Sequence, residues 1–124
     1  MSLFVDKSKL IEIKFYEMTD PEGNEKVSLS KEENPGATEY SMFFRRPSYV
    51  DNVKILDSAL KIVNDGEVQV NPILVRYQRF CTLLVKWTLK NEEGKDMEVN
   101  KENINQLDPE IANLIVAELE KTIQ

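Results

Sequence analysis

Apolar and polar positions alternate near the start of the chain. Leu10, Ile11, Ile13 and Phe15 flank Glu12 and Lys14, and a period of two predicts a β-strand with one wet face. Asp20-Pro21-Glu22-Gly23-Asn24 predicts a turn, because Pro sets φ and Gly supplies a positive-φ position. Val27 and Leu29 suit a short return strand. Residues 31–38 form a polar loop broken by Pro35-Gly36. Tyr40-Ser41-Met42-Phe43-Phe44 predicts a third strand, which stops at Arg45-Arg46-Pro47 because Pro cannot donate to a central ladder.

Beyond Pro47 the apolar spacing changes to three and four. Ser48 with Asp51 gives a capping-box-like helix start. Tyr49, Val53, Leu56, Leu60 and Val63 share one helical face, with Ile55 and Ile62 beside it; the helix is expected to end at Asn64-Asp65-Gly66. Asn71-Pro72 opens a second helix, with Ile73, Tyr77, Phe80, Cys81, Leu84 and Trp87 on its apolar side. At about 100° per residue, Arg76, Arg79, Lys86 and Lys90 fall in a stripe on one flank of that side, with Leu83 inside the stripe. Asn91-Glu92-Glu93-Gly94-Lys95 is a turn, and Asn100 is placed to cap a short helix reaching Gln106. Asp108-Pro109-Glu110 starts a final helix whose stripe is Ile111, Leu114, Ile115 and Leu119. Glu118 lies at the edge of that stripe, either in water or paired with a base.

This order of elements predicts an α+β fold. An N-terminal antiparallel β-hairpin or small sheet packs on a bundle of three main helices plus one short helix. The 124 residues suit a single domain over 1–124, mainly strands and loop over 1–46 and mainly helical over 47–124.

Composition narrows the chemistry. There is no histidine and one cysteine, Cys81, which excludes His-dependent triads, His-ligated zinc and an internal disulfide. The formal net charge is -6, opposite in sign to that of a general nucleic-acid binder. Charge is unevenly spread. Residues 17–39 hold seven acids and two bases, residues 40–90 four acids and eight bases, and residues 91–124 nine acids and three bases. A basic middle bracketed by acid either neutralises itself within the fold or meets a partner. The segment Met1-Ser2-Leu3-Phe4-Val5-Asp6-Lys7 lacks the apolar run of a signal peptide. Runs such as Leu114-Ile115-Val116-Ala117 are far shorter than the ~20 residues of a membrane span. The expectation is a soluble protein of a reducing compartment, with no membrane partner.

Candidate chemical motifs are weak. Glu12-Ile13-Lys14 has the acid-x-Lys spacing of metal-dependent nucleases, but alternating charges on a strand produce it unaided. The Asp20–Lys31 segment fails as a calcium loop, with Gly at the wrong position and Lys31 where the bidentate acid belongs. No P-loop or dinucleotide fingerprint is present. Cys81 reads as a small hydrophobe, and Trp87 as an anchor of the core or of an interface. No catalytic residue, cofactor or metal site is assigned, and the reading is of a non-enzymatic protein.

One resemblance adds to this reading. Leu83-Leu84-Val85-Lys86-Trp87-Thr88-Leu89 precedes Asn91-Glu92-Glu93-Gly94-Lys95, then Val99-Asn100-Lys101-Glu102-Asn103-Ile104-Asn105-Gln106-Leu107, then Asp108-Pro109-Glu110-Ile111-Ala112-Asn113-Leu114-Ile115. With Phe43-Phe44-Arg45-Arg46-Pro47-Ser48-Tyr49 upstream, the order resembles the tail assembly chaperones of tailed bacteriophages, over residues 40–124. The resemblance implies a viral, non-enzymatic chaperone of virion assembly that acts in the host cytoplasm. It would bind the tape measure protein and keep it soluble, with the tail tube protein as a further candidate partner. The alternative is a structural virion component: a tail, connector or decoration subunit. Homo-oligomerisation is left open. Such a role needs reversible contact with amphipathic helices, and the helical wheel offers Arg76, Arg79, Leu83, Lys86 and Lys90 as the partner-binding residues.

Overall fold

The alternation at residues 10–15 does form a strand. In the computed structural model, which describes residues 3–30, 36–62 and 66–123, β1 spans Leu10–Thr19. It pairs antiparallel with β2 (Glu25–Ser28) across the Asp20 turn, where Asp20 Oδ1 accepts from the backbone N–H groups of Glu22 and Asn24 at 2.9 and 2.8 Å. On its other side β1 pairs with β3 (Thr38–Arg45), placing Ile13 opposite Met42 and Ile11 opposite Phe44. These residues share the inward face.

After β3 comes α1 (Tyr49–Ser58), capped by Ser48 with the reciprocal Asp51 bond. The helix stops six residues short of the expected Asn64. Leu60–Ile62 is β4, which pairs antiparallel with β5 (Val68–Val70) as a separate two-stranded hairpin. Val63, Asn64 and Asp65 lie outside the described residues. Asn71 then caps α2 (Pro72–Leu83) through bonds from the backbone N–H groups of Ile73 and Leu74.

The expected helix through Trp87 is corrected here: the chain leaves the helix at Leu83, and Leu84–Trp87 is β6. β6 joins the sheet beside β3, giving the antiparallel order β2-β1-β3-β6. Phe43 pairs with Lys86 and Phe44 with Leu84, so Val85 is an extra residue at a register shift. A bulge of this kind breaks alternation: Leu84 and Trp87 pack toward the core, whereas Val85 and Lys86 are exposed.

Trp87 is half-buried and donates its indole N–H to the Met97 carbonyl at 2.7 Å, which ties the following loop to the sheet. Two helices complete the chain: α3 (Lys101–Asn105), capped by Asn100, and α4 (Pro109–Ile123). One sheet face, α2 and α4 enclose a single core of Ile13, Phe15, Met42, Phe44, Phe80, Leu83, Leu84, Ile104, Ile115, Val116 and Leu119. Phe44 and Phe80 meet edge to face, 5.3 Å between centroids. The architecture is α+β, and the described residues form a four-stranded sheet, a two-stranded hairpin and four helices. No described helix is long and apolar enough to cross a membrane.

The helix α1 reverses an expectation. Tyr49, Val53 and Leu56, the stripe expected to face the core, are exposed at 87%, 48% and 47%, and Leu60 is also exposed. Asp51, Ile55 and Ala59 are buried instead. Asp51 and Arg45 form a bidentate ion pair, Arg45 Nη2 donating to Asp51 Oδ1 at 3.0 Å and Nη1 to Oδ2. Arg45 also reaches the Thr82 carbonyl on α2 at 3.1 Å. Asp51 Oδ2 further accepts from the Ser48 backbone N–H and hydroxyl, both at 2.9 Å. Those bonds hold the Asp51 carboxyl well below the usual carboxylate range, the Arg45 guanidinium contributing most. The network fixes the roll of α1, and its apolar stripe is turned to solvent as a result.

Candidate partner-binding groove

The five residues expected to form one contact stripe are dispersed by the strand at Leu84–Trp87. Leu83 is fully buried in the core, so it is no surface contact: it is the last residue of α2, facing the sheet. Lys86 lies on the sheet, its Nζ 4.7 Å from the Phe43 ring centroid. Lys90 sits in an isolated bridge with Asp96. Only Arg76 and Arg79 stay together, on α2, where both approach Glu120 of α4. Arg76 Nε lies 2.8 Å from Glu120 Oε1 without hydrogen-bond alignment, and Arg79 Nη1 lies 3.7 Å from Oε2. Two cations share one carboxylate, which leaves local positive charge on a chain of net charge -6.

Beside that pair, α2, α3 and α4 enclose an open groove of about 640 Å³. Ile73, Tyr77 and Phe80 line it from α2, Ile104 and Leu107 from α3 and its exit, and Ala112 and Val116 from α4. Phe80, Ile104 and Val116 are buried and form the floor, whereas Ile73 is 78% exposed at the rim. Three groups hold the walls in place. Asn100 accepts from the Asn103 N–H at 2.8 Å and starts α3. The Tyr77 hydroxyl donates to Asn105 Oδ1 at 2.5 Å, joining α2 to α3. Asp108 accepts from the Glu110 N–H at 2.8 Å, and Pro109 begins α4. Lys101 lies over the Tyr77 ring, 5.9 Å from its centroid. The groove is therefore apolar inside and basic along one rim. Its size falls within the ~300–1,000 Å³ of ordinary ligand sites.

The acid-x-Lys pair is absorbed by the sheet. Glu12 accepts from the Ser41 hydroxyl at 2.9 Å, and Lys14 lies 3.5 Å from Glu39, which raises its pKa. Among the described residues, no group of three or more Cys, Asp or Glu is placed to hold a metal ion. Burial pushes the Cys81 thiol up from its ordinary value, so it stays protonated and is a poor nucleophile. Glu118 is half-exposed and lies 3.9 Å from Lys121.

Of the five residues expected from sequence patterning, Arg76 alone lines the groove, and Tyr77, Ile104, Leu107, Ala112 and Val116 were missed as a shared wall. The available signal was the pair of caps at Asn100 and Asp108, which starts two separate helices within ten residues of each other. No family model, no curated protein and no solved structure matches this chain.

Proposed function

We propose that this protein is a non-enzymatic assembly chaperone that holds an amphipathic helix of a partner polypeptide in the groove between α2, α3 and α4. The observation that carries the reading is the groove itself: an apolar trough open to solvent, with a basic rim at Arg76 and Lys101. A helix laid in such a trough buries its apolar stripe, and an acid on its flank meets the rim. The reading extends to the bacteriophage tail. The segment whose order resembles tail assembly chaperones, Leu83 through Ile115 within residues 40–124, supplies Ile104, Asn105, Leu107, Pro109, Ala112 and Asn113 to the groove. The partner proposed on that ground is the tape measure protein, kept soluble in the host cytoplasm until the tube forms, with the tail tube subunit as a second contact. No bond is made or broken in this role.

Co-expression with a tailed-phage tape measure protein tests the proposal. The wild-type chain should keep that protein in the soluble fraction and co-purify with it. Ile73→Glu, at an exposed rim position that tolerates an acid in the first helical turn, should abolish capture while the chain stays folded. Undiminished capture by Ile73→Glu combined with Arg76→Glu would overturn the assignment. Finding the chain at stoichiometric levels in purified particles would favour a virion component instead.

A further inference from the structure

The face of α1 that looks into solvent carries Tyr49, Val50, Val53 and Leu56, exposed at 87%, 51%, 48% and 47%. At 100° per residue these four fall within an arc of about 120°, opposite the buried Asp51 and Ile55. The patch continues into the hairpin. Leu60 follows the Ala59 cap directly and pairs in register with Val70. The Asn71 N–H donates to the Ala59 carbonyl at 3.0 Å, which holds the returning strand against the end of α1. Leu60, Val68 and Val70 are all exposed. From these exposures the apolar residues of α1 and the hairpin present on the order of 700 Å², near the ~800 Å² each partner brings to a standard interface. The largest patch on an ordinary monomer is about 300–600 Å².

We propose that a second copy of this chain covers the face, the two α1 helices lying antiparallel about a two-fold axis through Val53. Charge placement selects this occupant. Arg46 lies just before α1 and Asp57 in its last turn; both are exposed, and among the described residues neither has an ion-pair partner. Antiparallel pairing about Val53 sets residue 57 of one copy opposite residue 49 of the other, and residue 50 opposite residue 56. The Tyr49 hydroxyl of one copy then donates to the Asp57 carboxylate of the second, and Arg46 of the first copy, just before its Tyr49, reaches the same carboxylate. The two-fold axis repeats both contacts, so one patch satisfies itself, as an isologous interface requires. A parallel arrangement would set Arg46 against Arg46 and Asp57 against Asp57. This surface is separate from the α2–α3–α4 groove and stands whether or not the groove takes a helix.

Sedimentation equilibrium on the full chain at concentrations up to about 100 μM tests the proposal. The expected result is a mass twice 14.4 kDa. Val53→Glu, at a half-exposed position, should give the monomer mass with an unchanged circular-dichroism spectrum. Asp57→Arg alone should weaken association at least tenfold, and Arg46→Asp combined with Asp57→Arg should restore it. A wild-type mass of 14.4 kDa throughout, or a dimer that persists in Val53→Glu, overturns the proposal. A combined charge swap that stays monomeric overturns the antiparallel register on which it rests.

Discussion

Asp51→Ala should be among the most damaging single substitutions outside the central core. The Asp51 side chain is 8% exposed and that of Arg45 22%, so solvent screens the pair little. Removing the carboxylate leaves the Arg45 guanidinium enclosed with only the Thr82 carbonyl as an acceptor. Breaking a buried pair by deleting one partner costs about 3–5 kcal/mol. The same change removes the acid side of the Ser48 capping box, for which about 1 kcal/mol is typical. These terms share atoms and do not simply add, so the loss is about 4 kcal/mol with α1 held in its present roll and about 2 kcal/mol net once the helix turns its apolar stripe inward, out of the ~5–15 kcal/mol that holds an ordinary domain. For a chain of this size the net loss should lower the midpoint temperature by roughly 5–10 °C. Asp51→Asn separates charge from shape, since it keeps an acceptor for the Ser48 N–H.

The pH dependence has a definite sign. The Asp51 carboxyl is depressed in the folded state, so its stabilisation is present above its unfolded pKa of about 4 and is lost as pH falls through the folded value. The stability gap between wild type and Asp51→Asn should therefore be widest near neutrality and shrink on acidification below about pH 4. Urea melts followed by far-ultraviolet circular dichroism measure both quantities. A loss under about 1 kcal/mol at neutral pH, or a gap that stays constant into acid, would refute the account.

Two further outcomes follow from burial and bonding. Leu83→Ala removes a fully buried side chain and should cost about 2–5 kcal/mol, whereas Leu60→Ala, at 48% exposure, should cost under about 1 kcal/mol; equal losses in denaturant melts would show the end of α2 to be misplaced. Trp87→Phe keeps the ring packing and loses the bond to the Met97 carbonyl, for about 1–2 kcal/mol, with amide exchange accelerated locally over residues 91–99.

The parts of the fold that sequence reveals are those decided locally. Ser48, Asn71, Asn100 and Asp108 each accept a bond from the first turn of a helix that follows, and such chemistry is written in adjacent residues. The strands β1 and β3 show the alternation of a half-buried sheet. The strand β6 was hidden because its bulge turns Leu84 and Trp87 inward three residues apart, which imitates a helical spacing. Leu60 likewise falls at the next apolar position of a helical pattern from α1, although the chain has already turned into a hairpin there. The groove was illegible because its walls come from three helices separated by up to 43 residues, Ile73 to Val116.

The roll of α1 is the case in which pattern and structure disagree most, and magnitudes identify what decided it. Rolled the other way, the helix would bury Tyr49, Val53 and Leu56, which now leave on the order of 350 Å² in water. It would expose Ile55 and Ala59, on the order of 250 Å². The difference of about 100 Å² favours the opposite roll by roughly 2–3 kcal/mol at the usual area coefficient. Breaking the Arg45–Asp51–Ser48 network costs about 3–5 kcal/mol. The ion pair wins by a narrow margin, and removing Asp51 should reverse the balance. Thiol labelling in a Cys81→Ser background reads the roll directly. Ile55→Cys, buried at 1% exposure, should react slowly with Asp51 present and at least tenfold faster when Asp51→Ala is added. Leu83→Cys, in the core beneath the same helices, should remain protected in both. An equal gain in reactivity at position 83 would mean general loosening, and the ion pair would then be a source of stability with no part in choosing which face of α1 meets the solvent.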